Sequence, residues 1–253
     1  MHKFICFNHQ ILPAENAFLP ANSAAALYGK GIFTTVAIYN FKPFLWEKHW
    51  QRLTANANTI EIDLQNFTEQ KVKNALLEII EKNNFRTGRA RLTFFDESSP
   101  AFWQTDSKNK TGFTIQTADF RQIKNKLNLT VSPFLVNSTA PLVGVKSCNY
   151  LENIMAWESA KAKGFDEAIR LNEKGEIVAA CLANVFWKKN GAIFTPHLET
   201  GCLNGTTREY VSENLAVEET KAQLEEIIEA DEIFLTSAGI GVVRAAIEKS
   251  ELS

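Results

Sequence analysis

Patterns of apolar residues typical of strands and of helices alternate along the first third of the chain. The runs KFICFNHQIL and TTVAIYNFKPFLW each predict two strands joined by a turn. In the second run the turn falls at Asn40, a residue type that tolerates turn conformations. The period then changes, because Trp50, Leu53 and Ala57 lie three and four positions apart. This spacing predicts an amphipathic helix that begins near Glu47.

A second helix is predicted in TEQKVKNALLEIIEKNN, with the side chain of Thr68 capping its first turn. RARLTFFD and GFTIQTADF then predict two strands, and the polar residues 96–112 predict a long loop between them. The buried face of the second helix is predicted to hold five apolar residues at helical spacing: Val72, Ala75, Leu76, Ile79 and Ile80.

The second half of the chain repeats this mixture after a stretch without clear periodicity. That stretch, residues 119–127, predicts a linker between a small N-terminal α/β domain, residues 1–118, and a larger C-terminal domain, residues 128–253. In the second half, KG and NG dipeptides separate β runs, and a helix is predicted over about 149–163. Because hairpins outnumber strand–helix–strand units, the predicted fold class is α+β, in two domains.

Composition excludes several classes of function. Hydrophobic residues make up 45% of the 253 residues and the formal net charge is −2, which gives no indication of nucleic acid or an acidic membrane surface as a partner. No apolar run approaches the roughly 20 residues that cross a bilayer, and MHKFICFNHQ does not have the pattern of a signal peptide. The four cysteines are scattered, which argues against a metal site or a disulfide framework and favours a cytoplasmic protein.

The stretch VGVKSCNYLENIMA contains a candidate reactive lysine. Lys146 ends an apolar run, just before a polar turn and a helical pattern. On the surface such a lysine is an ordinary charge. A buried lysine differs, because desolvation disfavours the ammonium form and leaves a neutral amine that can form a Schiff base. The sequence by itself leaves both interpretations open.

Two other stretches and an arginine suit an anionic ligand. In GCLNGTTREYV, Asn204 and Gly205 predict a tight turn before Thr206 and Thr207 open a helix, whose first N–H groups suit a phosphate. The simpler interpretation is that Thr206 only caps the helix. In FLTSAGIGVV, small residues end a β run and form either a ligand contact or a bulge. Arg52, near the end of the first helix, is either a surface charge or a planar clamp for phosphate.

In this order and at these separations, the four features resemble the fold type IV family of pyridoxal-phosphate enzymes. The family includes branched-chain and D-amino-acid aminotransferases and 4-amino-4-deoxychorismate lyase. YGKGIFTTVAIYNFKPFLWEKHWQRL is similar to the family's YGDGxFExxxxYxGxxFxxxxHxxRL, KSCNYLENIMAWESAKAKGFDEAIRLNEKG to its lysine segment, and GCLNGTTRE to its phosphate turn GxLxGxTR. The resemblance runs from about residue 20 to 243. It implies two domains with pyridoxal 5'-phosphate between them, and a homodimer.

The resemblance also implies a role for each matching residue. Lys146 would form the Schiff base with the cofactor and then shuttle protons, and Arg52 would hold the phosphate. Apart from the resemblance, Thr34 or Thr35 would orient a proton donor or a substrate carboxylate, and Thr34 is the candidate catalytic residue. Ala238 would line the substrate side of the pocket. The other cofactor-binding positions are Tyr150 at the ring oxygen, and Gly205, Thr206, Thr207, Thr236 and Ser237 around the phosphate.

Within the family, the lyase is favoured. Thr34 replaces the usual acidic residue, giving GIFTT, and CLANVFW at 181–187 is similar to the lyase pattern CxANxFW. Aminodeoxychorismate lyase forms 4-aminobenzoate and pyruvate in folate biosynthesis. KSCNYLENIMAWESA is equally similar to D-amino-acid aminotransferases. An aminotransferase of branched-chain or D-amino acids therefore stays open.

Ala179 departs from the family pattern, because the family's glutamate opposite the pyridine nitrogen falls there. An alanine cannot keep that nitrogen protonated, and Glu176 lies at an odd offset, which predicts the opposite face of a strand. Water or another residue such as Cys181 would then contact the nitrogen, or the reaction needs less electron withdrawal, or the protein is an inactive relative. Loss of pyruvate leaves an aromatic ring and has its own driving force, which favours the lyase.

Cationic side chains are candidates for binding the carboxylates of a small amino-acid-like substrate. Arg89 and Arg91 are predicted on one face of a strand, and Arg244 lies in the final β run. Each is equally well explained as a surface charge. Residues 96–112 do not match the TRG of many relatives, so no substrate contact is predicted from that loop.

Overall fold

The computed structural model describes residues 1–99 and 110–247, and these fall into two compact units. The first unit contains Met1–Arg121 and the short segment Val145–Asn149, and the second contains Gln122–Gly144 and the chain from Tyr150 onward. Lys146 thus belongs to the first unit and not to the C-terminal domain in which the sequence predicted it.

The described part of the first unit contains a six-stranded antiparallel sheet in the order β2-β1-β6-β5-β3-β4. The opening hairpin and the hairpin at Asn40 are both confirmed. The elements are β1 (Phe4–Phe7), β2 (Gln10–Pro13), α1 (Ala24–Tyr28), β3 (Gly31–Tyr39), β4 (Lys42–Pro43), α2 (Trp46–Thr59), α3 (Glu69–Lys82), β5 (Gly88–Asp96) and β6 (Thr111–Ala118).

Helices α2 and α3 contact this sheet through the apolar faces that the sequence predicts. In α2, Leu53 and Ala57 are buried and Trp50 is half-buried. The Thr68 hydroxyl accepts a hydrogen bond from the Lys71 backbone N–H at 3.3 Å, so the predicted cap of α3 is confirmed. All five predicted core residues of α3 are buried: Val72, Ala75, Leu76, Ile79 and Ile80.

The described part of the second unit contains an eight-stranded mixed sheet in the order β12-β11-β10-β13-β14-β7-β8-β9. With the first sheet it confirms the predicted α+β class. No helix among the described residues has the length and apolarity to cross a membrane. The elements are β7 (Lys126–Val131), α4 (Leu151–Ala162), β8 (Glu167–Leu171), β9 (Ile177–Ala180), β10 (Asn184–Lys189), β11 (Ala192–Pro196), α5 (Thr206–Asn214), β12 (Val217–Thr220), α6 (Leu224–Ile228), β13 (Glu232–Ser237) and β14 (Gly241–Ile247).

The segment 145–149 is attached to the start of β3 by backbone hydrogen bonds. The Phe33 N–H donates to the Lys146 carbonyl at 2.9 Å, and the Cys148 N–H donates to the Gly31 carbonyl at 2.8 Å. These two bonds fix the backbone at the Lys146 carbonyl and two residues further along the chain. The position of the lysine is therefore set by the first unit.

Candidate functional site

The Lys146 amine lies among aromatic and cationic side chains of the first unit. Its Nζ is 4.4 Å from the centroid of the Phe33 ring, and the guanidinium carbon of Arg91 is 3.6 Å from the same centroid. Both cations are within the range of attraction to the ring face. The Arg91 side chain is itself exposed.

These surroundings change the chemistry of the lysine. Lys146 is half-buried, and this burial, together with the positive charges of Arg52 and Arg91, lowers its pKa from 10.5 to about 7. A substantial fraction of the amine is therefore neutral near pH 7, and the neutral amine is the nucleophilic form. Lys146 thus has the properties of a reactive amine rather than those of a surface charge.

Arg52 lies in the middle of α2, not near its end as the sequence suggested, and it is linked to β3. Its Nη2 donates to the Thr34 hydroxyl at 2.8 Å, and the same hydroxyl oxygen is 2.7 Å from Nδ1 of His49. His49 and Arg52 share a helix face because they are three residues apart. Thr34 and His49 are 0% and 1% exposed. Thr34 is therefore the bridge between the helix and the strand.

His49 is electrically neutral in this cluster. Burial, with the nearby charges of Arg52 and Lys146, lowers the pKa of His49 to about 3. A neutral imidazole can accept or donate one hydrogen bond at Nδ1, depending on its tautomer. Sequence reasoning assigned no role to His49, and its signal was a histidine on the apolar face of a predicted helix, one turn before Arg52.

In the second unit, α5 begins where the phosphate turn was predicted. Its N-cap is Gly205, with φ −70° and ψ 141°, and within the described residues no side chain caps this end. The interpretation that Thr206 caps the helix is therefore wrong, because Thr206 is the first helical residue. Thr206 and Thr207 are both buried. The uncapped N–H groups and the positive end of the helix dipole favour an anion.

Asn184 and Thr236 lie beside this helix end. They are antiparallel partners in β10 and β13, which places their side chains on the same face, and α5 contacts β13. The Asn184 side-chain amide donates a hydrogen bond to the Leu203 carbonyl at 2.8 Å. A Cβ added to Gly205 would collide with the Asn184 side-chain oxygen. Thr236 is 0% exposed, and its hydroxyl has no hydrogen-bond partner among the described residues. Asn184 was not among the site residues predicted from the sequence, although it lies within the CLANVFW motif.

The remaining predicted residues lie in the second unit. Tyr150 is the N-cap residue of α4 and is half-buried. Ser237 ends β13, and Ala238 begins the turn that follows; both are half-buried. The structure thus brings together Thr34, Arg52, Arg91 and Lys146 in the first unit. In the second unit the start of α5 and Thr236 of β13 belong to adjacent elements. Residues 100–109 of the predicted loop lie outside the described residues.

Comparison with known proteins assigns the chain to a family. The chain is 26% identical to the aminodeoxychorismate lyase of Bacillus subtilis, over 94% of this chain and 84% of that protein. It is 28% identical to the D-alanine aminotransferase of Bacillus licheniformis, over 94% of this chain and 86% of that protein. Among solved structures, the branched-chain aminotransferase of Thermoproteus uzoniensis matches with a TM-score of 0.91 and 25% identity, over 98% of this chain and 88% of that chain.

These matches confirm the fold type IV architecture that the motifs implied. The family model for amino-transferase class IV matches residues 31–247, which include Lys146, Arg52 and the start of α5. The chain therefore belongs to the class IV aminotransferase family, a family of enzymes that use pyridoxal phosphate.

Proposed function

We propose that this chain is a pyridoxal-phosphate-dependent 4-amino-4-deoxychorismate lyase, which forms 4-aminobenzoate and pyruvate for folate biosynthesis. The observation that supports a reactive site most strongly is the Lys146 amine, whose pKa is lowered to about 7 beside Arg52 and Arg91. An amine that is partly neutral near physiological pH suits both attack on an aldehyde and proton transfer.

The residues present fit the cofactor. Its aldehyde needs an amine with a lowered pKa, which Lys146 supplies. Its phosphate needs cationic and N–H donors; Arg52 of the first unit is such a cation, and the start of α5 in the second unit offers such N–H groups. The buried Thr236 hydroxyl, with no partner among the described residues, fits a further polar contact to such a ligand.

In the mechanism that we propose, the residues that would hold the phosphate are Arg52, Thr206, Thr207 and Thr236, and Tyr150 would bond the oxygen of the cofactor ring. The bound cofactor supplies a conjugated ring that takes up electrons released at the substrate carbon. Lys146 would be the residue that holds the cofactor's aldehyde, and its amine would be free to act as a base once the substrate amine has taken its place.

The freed Lys146 amine then takes the proton from the amine-bearing carbon of the substrate. The C–O bond to the enolpyruvyl group breaks, and the ring of the substrate becomes aromatic. A proton passes to the departing enolpyruvate, which becomes pyruvate. In this scheme Arg91 and Ala238 contact the substrate. Thr34 acts through Arg52, to which it is hydrogen-bonded.

Three sequence features favour the lyase over an aminotransferase. Thr34 stands at the position of the usual acidic residue, CLANVFW is similar to the lyase pattern, and Ala179 provides no carboxylate. Without a carboxylate, a reaction that gains an aromatic product is easier to sustain than a nearly balanced transamination. The similarity to the Bacillus subtilis lyase supports the same choice.

The test is the incubation of the purified protein, loaded with pyridoxal phosphate, with aminodeoxychorismate. We expect pyruvate and 4-aminobenzoate in equal amounts, and neither product from Lys146→Ala. A visible absorbance band that borohydride fixes onto the wild type, and that Lys146→Ala lacks, is expected before substrate is added. Absence of both products from a protein with this band would reject the lyase.

The second candidate is an aminotransferase of D- or branched-chain amino acids, which the 28% identity to a D-alanine aminotransferase supports. It predicts that an amino acid added alone converts the cofactor to pyridoxamine phosphate, with loss of the visible band. We also infer a homodimer in the cytoplasm, from the family resemblance and the cysteine pattern. Sedimentation of the loaded protein tests the dimer.

A further inference from the structure

Ala179 raises the question of which side chain replaces the family's acid. It lies in β9, is half-buried, and pairs with Arg170 of the antiparallel strand β8. Directly opposed residues of an antiparallel pair project to the same face of the sheet. Arg170 is therefore the cross-strand neighbour on the face of Ala179.

The two candidates named from the sequence are engaged elsewhere. The Glu176 carboxylate accepts a hydrogen bond from the Asn172 amide at 2.7 Å. The Cys181 thiol lies 3.5 Å from the Ala168 carbonyl, and burial, with the negative charge of Glu167, raises its pKa to about 12. A neutral thiol bonded to a backbone carbonyl provides no negative charge. Glu176 is therefore bound to another side chain, and Cys181 carries no negative charge.

Arg170 is a buried cation beside this position. Its side chain is 5% exposed, and its guanidinium donates to the carbonyls of Phe134 and Leu135 at 3.5 and 3.2 Å. The Glu152 carboxylate is 3.7 Å away but 80% exposed, so solvent screens most of its attraction. A guanidinium has five N–H donors, and the two carbonyls do not use all of them.

We propose that Arg170 takes the place of the missing acid, so that a cation and its N–H donors face the pyridine nitrogen of the bound cofactor. This inference rests on the proposed function. A nearby positive charge disfavours the protonated, positively charged form of that nitrogen, and an N–H donor stabilises the unprotonated form. The family's carboxylate has the opposite effect on both counts.

The consequence concerns the class of reaction. A cofactor ring without a proton on its nitrogen withdraws electrons less strongly. The negative charge left on the substrate carbon when its proton is removed is therefore stabilised less. Reactions that form an especially stable product, such as an aromatic ring, are least affected. Arg170 therefore favours an elimination reaction over transamination at this site.

The test is a nitrogen-15 NMR titration of the protein loaded with pyridoxal phosphate that is labelled at the pyridine nitrogen. The chemical shift of that nitrogen distinguishes the protonated from the unprotonated form without any turnover. We expect the unprotonated form in the wild type at pH 7. Arg170→Met, which removes the charge, should raise the pKa of the nitrogen. Addition of Ala179→Glu to Arg170→Met should give the protonated form at pH 7.

Two variants serve as controls. Arg170→Lys keeps a positive charge and should stay close to the wild type, and Arg86→Met removes an exposed arginine whose Nε is bonded to Asn40 in the first unit. A protonated nitrogen in the wild type at pH 7, or an unchanged nitrogen pKa in folded Arg170→Met, overturns the role of Arg170. The wild-type result stands even if Arg170→Met does not fold. A wild type that binds no labelled cofactor instead rejects the proposed function, and this inference with it.

Discussion

At the scale of single residues, His49 illustrates how burial sets the protonation state of a side chain. Its ring is enclosed between α2 and β3, and its Nδ1 lies 2.7 Å from the Thr34 hydroxyl oxygen. The charges of Arg52 and Lys146 further disfavour an imidazolium ion. An unfolded histidine has a pKa near 6.5, whereas the folded value is about 3. Between these values the unfolded chain binds one more proton than the folded protein.

Stability should therefore fall as the pH decreases from 6.5 toward 3. The contribution of His49 is a loss of about 2 kcal/mol in the free energy of unfolding between pH 7 and pH 5. Urea unfolding at the two pH values measures it. His49→Asn should lose less stability than the wild type by this amount. An equal loss of stability between the two pH values in both proteins would contradict the prediction.

A second prediction concerns the Thr34 hydroxyl. Thr34→Val preserves the shape of the side chain but removes the oxygen that contacts both Arg52 and His49. We expect the affinity for pyridoxal phosphate to fall about tenfold, since a hydrogen bond to a charged group is lost and Arg52 is less well oriented. Pyridoxal, which has no phosphate, should bind unchanged.

Absorbance titration with both ligands separates this effect from general damage. Thr35→Val is the matched control, because Thr35 is the next residue of β3 and is only half-buried. A similar loss of affinity for pyridoxal and for its phosphate would show that Thr34 supports the strand rather than the orientation of Arg52.

At the scale of elements, the start of α5 depends on a glycine for steric reasons. Gly205 has an ordinary negative φ, so any residue could adopt its backbone conformation, but an added Cβ would collide with the Asn184 oxygen. Gly205→Ala should lower the free energy of unfolding by about 1–3 kcal/mol, the usual cost of overpacking.

A double-mutant cycle with Asn184→Ala identifies the cause. If the collision is responsible, Gly205→Ala should cost much less in the Asn184→Ala background than in the wild type. Equal costs in the two backgrounds, measured by urea unfolding, would mean that Asn184 is not the obstacle.

Local elements could be predicted from the sequence, and contacts between distant segments could not. Helix α3 was predicted with its cap and its buried face because both signals, Thr68 and the apolar period, lie within a few residues of each other. One of the two interpretations of GCLNGTTREYV placed Thr206 at the cap of α5, because threonine is a common capping residue, whereas Gly205 occupies that position. The motifs led to Arg52 and Lys146, but the cross-strand pairing of Arg170 with Ala179 depends on register.

At the scale of the whole molecule, the first unit is not a continuous piece of chain. Its β3 is bonded to residues more than 100 positions away, through the Phe33 N–H and the Gly31 carbonyl. Cys148→Pro removes the donor to Gly31 and should loosen this pairing. We therefore expect faster hydrogen exchange of the Phe33 amide, while amides bonded between β5 and β6 remain protected.

Hydrogen exchange followed by NMR measures this difference. Cys148→Ala keeps the backbone N–H and should leave the exchange of the Phe33 amide as in the wild type. Unchanged protection in Cys148→Pro would mean that the Lys146 segment is held by contacts other than this pair of hydrogen bonds.

The attachment of the 145–149 segment to β3 also limits how such enzymes can recombine. A chimera of two relatives joined within residues 119–127 would inherit the lysine from one parent and its arginines, Arg52 and Arg91, from the other. The basicity of the amine would then depend on residues that had never evolved together. Recombination at this point is therefore expected to give a folded protein in which the pKa of the lysine amine is altered. Transfer of residues 145–149 together with the first unit would keep the lysine with the arginines that lower its pKa.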